Sequence, residues 1–268
     1  MFGMRFVLVA LVALVAPVAL AVPSFADITV KSIVAGKGTV INADTTSTTL
    51  IKGNKMRSDM VFGDTVRSSI FDLDAQKIYS FDSRKKEADV YDMQKLTADM
   101  SKSVQVSDMK ASVKPSGKTK SIAGKTANGY DMEISVPATF GGQDGIKVTV
   151  RLTGPMWIVK GAPGTAEYLA FYKNALQKGW FFTDPKSAKA QPGPAKAMAE
   201  VYRHIAAAGG IAYETALSVT MIGEGPMAAM LEKFGNITMT TTVTSVNTGA
   251  LAADLFAPPT GYKLKEQK

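Results

Sequence analysis

Turn-forming residues recur at intervals of about ten through the first third of the chain. They are Gly36-Lys37-Gly38, Gly53-Asn54, Gly63-Asp64, Leu73 to Gln76 and Asp82 to Lys86. Between them, from Ile28 to about Val90, segments rich in Thr, Val, Ile and aromatics alternate with polar residues. Successive side chains of a strand point to opposite faces, so this pattern calls for short strands joined by hairpins. The expected product is an antiparallel meander.

The stretch RSSIFDLDAQKIYSFDSRKKEADVYDM, Arg67 to Met93, crowds six carboxylates among aromatics and bases. Strand alternation separates them. Phe71 and Leu73 share one side of their strand, as do Tyr79 and Phe81, while Asp72 and Asp82 point the other way. Asp74 belongs to a turn, where its side chain satisfies local N–H groups. The acids are therefore expected to form a solvated face and its turns, not a catalytic or metal-binding cluster.

Further along, Tyr91 to about Ser103 carries Met93, Leu96 and Met100 at helical spacing. Strands are expected near Lys110 to Ile122 and Gly129 to Pro137, around a turn at Ala123 to Asn128. Ile146, Val148, Val150 and Leu152 alternate with Lys147, Thr149 and Arg151, a half-buried strand that continues through Trp157 to Val159. The period then changes. Pro163 to Lys178 is helical, with Leu169, Tyr172 and Leu176 on one stripe, Pro163 suited to its start and Gly179 to its end. After the TDPKSAKAQPGP loop a second helix, Pro194 to Ala208, aligns Met198, Val201, Ile205 and Ala208. Strands Ile211 to Ile222 and Asn236 to Val246 bracket a short helix at Met227 to Phe234.

Residues 1–26 form a different kind of text. Arg5 is followed by an apolar run from Phe6 to Val22, broken at Pro17, and Ser24-Phe25-Ala26 places small residues at −3 and −1 of a cleavage site. The run is too short and interrupted for a membrane anchor, which needs about 20 apolar residues. The sequence predicts a secretory signal peptide cut after Ala26 and a periplasmic protein, residues 27–268, forming a single domain. With no cysteine, no lipid can be attached at a lipobox and no disulfide can staple the fold, so the domain must stand on its core. The formal charge of +8 loses only Arg5 with the leader. That excess suits an anionic membrane surface, whereas nucleic acid is not expected without a basic-aromatic motif.

Catalytic chemistry is hard to find. His204 is the only histidine, so clusters of His and Cys for metal binding and Cys nucleophiles are excluded. No Gly-x-Ser-x-Gly elbow occurs. The AGKT stretch at Ala123 to Thr126 lacks the P-loop glycine, since Thr119 stands where it is needed. Ser83-x-x-Lys86 and Ser107-x-x-Lys110 lack the elements that accompany a serine–lysine nucleophile. The chain is expected to be no enzyme and to use no cofactor or metal. Its fourteen methionines, Met56, Met60, Met227 and Met230 among them, fit core filling, an adaptable pocket lining or, as thioethers, Cu(I).

The widest apolar stripe singles out a candidate lining. Leu169, Tyr172 and Leu176 on the first long helix, Trp180 just beyond it and Trp157 at the end of the clean strand are the expected walls of an apolar space between helix and sheet. Ordinary core is the competing reading of the same residues.

Three stretches resemble one family. IKGNKMRSDM with SIFDLDAQKIYSFD, the hairpin GKTKSIAGKTANGYDMEI, and the ending DLFAPPTGYK are similar to the DUF4412 family of exported bacterial proteins, related in architecture to the LolA/LolB lipoprotein-carrier fold. Many members of that family carry Cys where Ala127 stands, so no role of that thiol carries over. The resemblance implies an α+β fold. Its strongly curved antiparallel β-sheet is an unclosed LolA-like barrel, with amphipathic helices packed on the concave side. It also implies an apolar cavity. The function expected from all of this is a non-enzymatic periplasmic binding or carrier protein for a lipid, acyl chain or other apolar ligand. The alternative is an envelope interaction or scaffold module with a self-filled core.

Overall fold

A computed structural model describes residues 26–38, 42–103, 109–140, 146–180, 185–186, 192–223 and 237–267. The expected helix at Met227 to Phe234 and most of the TDPKSAKAQPGP loop lie outside these residues, as does the leader up to Phe25.

Twelve strands form one sheet. The meander supplies β1 (Ile28–Lys37), β2 (Asn42–Lys52), β3 (Lys55–Phe62), β4 (Thr65–Asp72), β5 (Lys77–Asp82) and β6 (Glu87–Asp92). Helix α1 (Met93–Ser103) follows, then β7 (Lys110–Ile122), β8 (Lys125–Phe140) and β9 (Ile146–Lys160). Helices α2 (Thr165–Gln177) and α3 (Pro192–Ala208) precede β10 (Gly210–Gly223), β11 (Ile237–Thr248) and the terminal β12 (Lys263–Glu266). The sheet order is β12-β6-β5-β4-β3-β2-β1-β11-β10-β9-β8-β7. Every pairing is antiparallel except β12 on β6. The two meanders thus meet where β1 pairs with β11.

The sheet is curved and unclosed, and the helices pack across its middle and its β7 end. Helix α2 touches both β2 and β10, which β1 and β11 separate, and α3 touches β7 through β10. The facing side is apolar in register: Ile28, Ile51, Met56, Phe71, Ile78 and Tyr91 form one buried row across β1 to β6. Ile134 with Leu152, and Val136 with Val150, continue it on β8 and β9. Together with Phe171, Tyr172, Val201 and Ile205 from the helices they make the main core.

A second core lies on the other face of β2 to β6. Ile70, Phe81 and Ala88 are buried there under Phe256, with Leu50, Tyr79, Leu251, Leu255 and Tyr262 around them. The C-terminal segment, including the 3-10 turn Ala253–Phe256, is what covers this face. This corrects the expected wet face. Asp72, two residues beyond the fully buried Ile70 on the same strand, is only 7% exposed. Its carboxylate accepts the Asp74 and Ala75 N–H groups at 3.1 and 2.9 Å and pairs with Lys55 at 2.7 Å. Asp82, by contrast, serves the next turn as expected, accepting the Arg84 N–H at 2.9 Å.

The ends of the sheet are guarded differently. Edge strand β7 carries Lys110, Lys114, Lys118 and Lys120, with Pro115 at a break in its register against β8. Charges, proline and irregularity on an edge discourage pairing with another chain. The β7–β8 hairpin is tighter than the six-residue turn expected: Ala123 and Gly124 alone turn it, both at positive φ, 47° and 71°. Consecutive positive φ values are what a two-residue hairpin turn requires. Among the described residues no helix is long and apolar enough to cross a membrane.

Candidate functional site

The helix pair carries the candidate site, and local sequence positions it. Gly164, at φ 73°, precedes α2, and the Thr165 hydroxyl donates to the Ala162 carbonyl at 2.7 Å. Glu167 in the first turn is 4% exposed and accepts the N–H of Gly53, in the β2–β3 turn. A carboxylate is favoured in the first turn of a helix, and through Gly53 Glu167 pins that end of α2 to the meander. At the other end, Gly179 (φ 72°) donates its N–H to the Leu176 carbonyl and Trp180 to that of Ala175, at 3.0 and 3.1 Å. These two bonds are a Schellman cap. It turns the chain back and drives the Trp180 ring into the core, 5% exposed.

The five expected lining residues do not meet in one space. Tyr172 is 5% exposed and faces the sheet. Its ring stacks on Tyr202 of α3 at 4.7 Å and 13°, meets Tyr168 at 4.5 Å, and its hydroxyl donates to Met56 Sδ at 3.6 Å. Burial is the main cause that pushes the hydroxyl pKa of Tyr168, Tyr172 and Tyr202 above the ordinary value, keeping all three neutral. Phe171 beside them is fully buried. The space between α2 and the sheet is therefore occupied by the protein's own rings. Trp157 is half-buried at the margin of the main core. Alternation along β9 sets it opposite Met156 and Ile158, both fully buried, and its register partners are Gly129 and Glu214. Lys120 sits over its ring at 4.6 Å and pairs with Glu214 at 2.6 Å.

Leu169 and Leu176 face a different way from Tyr172. They are half-buried and line an open groove of about 590 Å³ between α2 and α3. Lys173 and Gln177 complete its α2 wall; Arg203, Ala206 and Ala207 form the α3 wall. Each set follows the i, i+3, i+4 spacing of one helix face. The alanines keep α3 thin, and that leaves the trough. Sequence reasoning found the leucines through their stripe but missed Lys173, Arg203, Ala206 and Ala207. Their only signal was that the two helices each show a small or cationic stripe beside the apolar one.

Chemically the groove offers contact area and two cations. Arg203 Nη1 holds Glu200 at 2.6 Å across one helical turn. Among the described residues no group of three or more His, Cys, Asp or Glu is arranged to hold a metal ion. His204 is half-buried on α3.

No family model matches the chain, and no curated protein matches it. A solved structure of PNGF-II is similar to it with a TM-score of 0.29 and 10% identity, over 90% of this chain and 31% of that one. The chain thus spans about a third of that protein's length.

Proposed function

We propose that this protein is a non-enzymatic binding protein whose apolar ligand lies in the α2–α3 groove. The observation that carries the reading is the groove itself: about 590 Å³, with Leu169, Leu176, Ala206 and Ala207 in its lining. That volume falls in the range of small-molecule sites, which are mostly apolar and bounded by a few polar groups. The reading keeps the expected export, with residues 1–26 as leader and action in the periplasm. It also keeps the carrier architecture implied by the resemblance to the DUF4412 and LolA/LolB proteins. It moves the ligand, however, from the concave side of the sheet to the solvent side of the helices, because rings fill the concave side.

A second reading is favoured by that same filling. With Phe171, Tyr172 and Trp180 packed as core, the domain could serve as an envelope scaffold with no small ligand.

Titration with Nile red, a neutral dye whose emission shifts in apolar surroundings, separates the two. A binding protein should give saturable emission that Leu169→Ser and Leu176→Ser remove while the fold persists by circular dichroism. Absence of saturable emission in the unmodified protein would leave the scaffold.

A further inference from the structure

We infer that the α2–α3 groove takes a single-chain anionic amphiphile, a long-chain carboxylate, and that Lys173 and Arg203 hold its head group. This rests on the binding reading above and adds the ligand's charge to it. Among the described residues the groove is lined by four apolar residues, Gln177 and two cations, and by no acid. One cation stands on each helix, so a carboxylate between them would be held from both walls.

Arg203 is prepared for this. Its bridge to Glu200 at 2.6 Å draws the guanidinium along α3 and leaves it 59% exposed; Glu200 is 15% exposed. A guanidinium presents five N–H donors in a rigid fork, so one edge can keep Glu200 while another meets a second carboxylate. Lys173 is exposed on α2 and adds a mobile point charge. The charges also select. Two cations against Glu200 leave one positive charge at the groove, which a single negative charge balances. A phosphate monoester would bring a second negative charge towards Glu200, and a cationic head group would meet two like charges.

Three probes with the same hydrocarbon chain test this on the purified protein: laurate, dodecanol and dodecyltrimethylammonium, each displacing Nile red below its aggregation concentration. Laurate should bind at least about tenfold more tightly than dodecanol, as expected for a charge-assisted contact, and the ammonium probe most weakly. The variant Lys173→Gln with Arg203→Gln should bind laurate and dodecanol alike while still binding Nile red. Equal binding of laurate and dodecanol by the unmodified protein would overturn the head-group inference and leave the binding reading standing. No binding of Nile red or any probe would overturn both. Flotation with phosphatidylglycerol vesicles separates a free carboxylate from a membrane surface. Vesicle binding that needs the two cations but survives Leu169→Ser and Leu176→Ser would assign those cations to a membrane and overturn the inference.

Discussion

The guanidinium of Arg57 donates to the backbone carbonyl of Leu255 at 3.1 Å, across 198 residues of sequence. The same side chain grips Asp59 at 2.9 Å and lies 5.8 Å from the centre of the Phe81 ring. One cation on the outer face of β3 thus fastens the segment that buries Ile70 and Phe81. Arg57→Ala should loosen this cover at a cost of about 1–3 kcal/mol, the range for leaving buried polar partners unmade. Limited proteolysis should then cut first between Gly249 and Tyr262. A cleavage pattern like that of the unmodified protein would show that Arg57 does not hold the segment.

Asp72 should matter more than an ordinary surface acid. Burial disfavours its charge, but the Ala75 N–H and Lys55 outweigh this and hold its pKa below the ordinary 3.8. Its stabilisation is therefore present above the unfolded carboxylate pKa and is lost as pH falls through the folded value. Lys55 has its pKa raised, chiefly by the hydrogen bond to Asp72; its share is present below 10.5 and lost as pH climbs past the folded value. Asp72→Asn should cost about 1–3 kcal/mol near neutrality and flatten the acid limb of stability, read from urea midpoints across pH. Asp82→Asn, at an exposed turn, should do distinctly less.

Residues on opposite sides of α2 should respond differently to truncation. Phe171 is fully buried, and Phe171→Ala should cost about 3–5 kcal/mol. Leu176 is half-buried at the groove, so Leu176→Ala should cost less than the 2–5 kcal/mol of a core leucine. Denaturant unfolding checks both, and comparable losses would place Leu176 in the core.

Gly154 is required by the close approach of β9 and β10. Its φ is 148°, and a Cβ there would stand 1.8 Å from the Ala216 carbonyl oxygen. Gly154→Ala should destabilise on the order of 3 kcal/mol by forcing the strands apart. A thermal midpoint unchanged from that of the unmodified protein would mean the strands yield without cost.

Local sequence determined much of this protein. Turn residues and strand alternation determined the meander from Ile28 to Val90, since hairpins read only their neighbours. Apolar spacing and terminal glycine determined α2 through a cap made within a few residues. The wide stripe containing Leu169, Tyr172 and Leu176 was legible too, but its division was not. Whether such a residue meets a sheet, another helix or water depends on what packs against each side of α2. Tertiary structure sent Tyr172 to the sheet, Leu169 and Leu176 to the groove, and Trp157 to the opposite face of β9. It also turned Asp72 from trim into a buried cap of the Asp74 and Ala75 N–H groups, paired with Lys55, and it covered Ile70 and Phe81 with a segment from the far end of the chain. Alternation along a strand tells which residues share a face; only the chain that lands on that face decides whether it is wet.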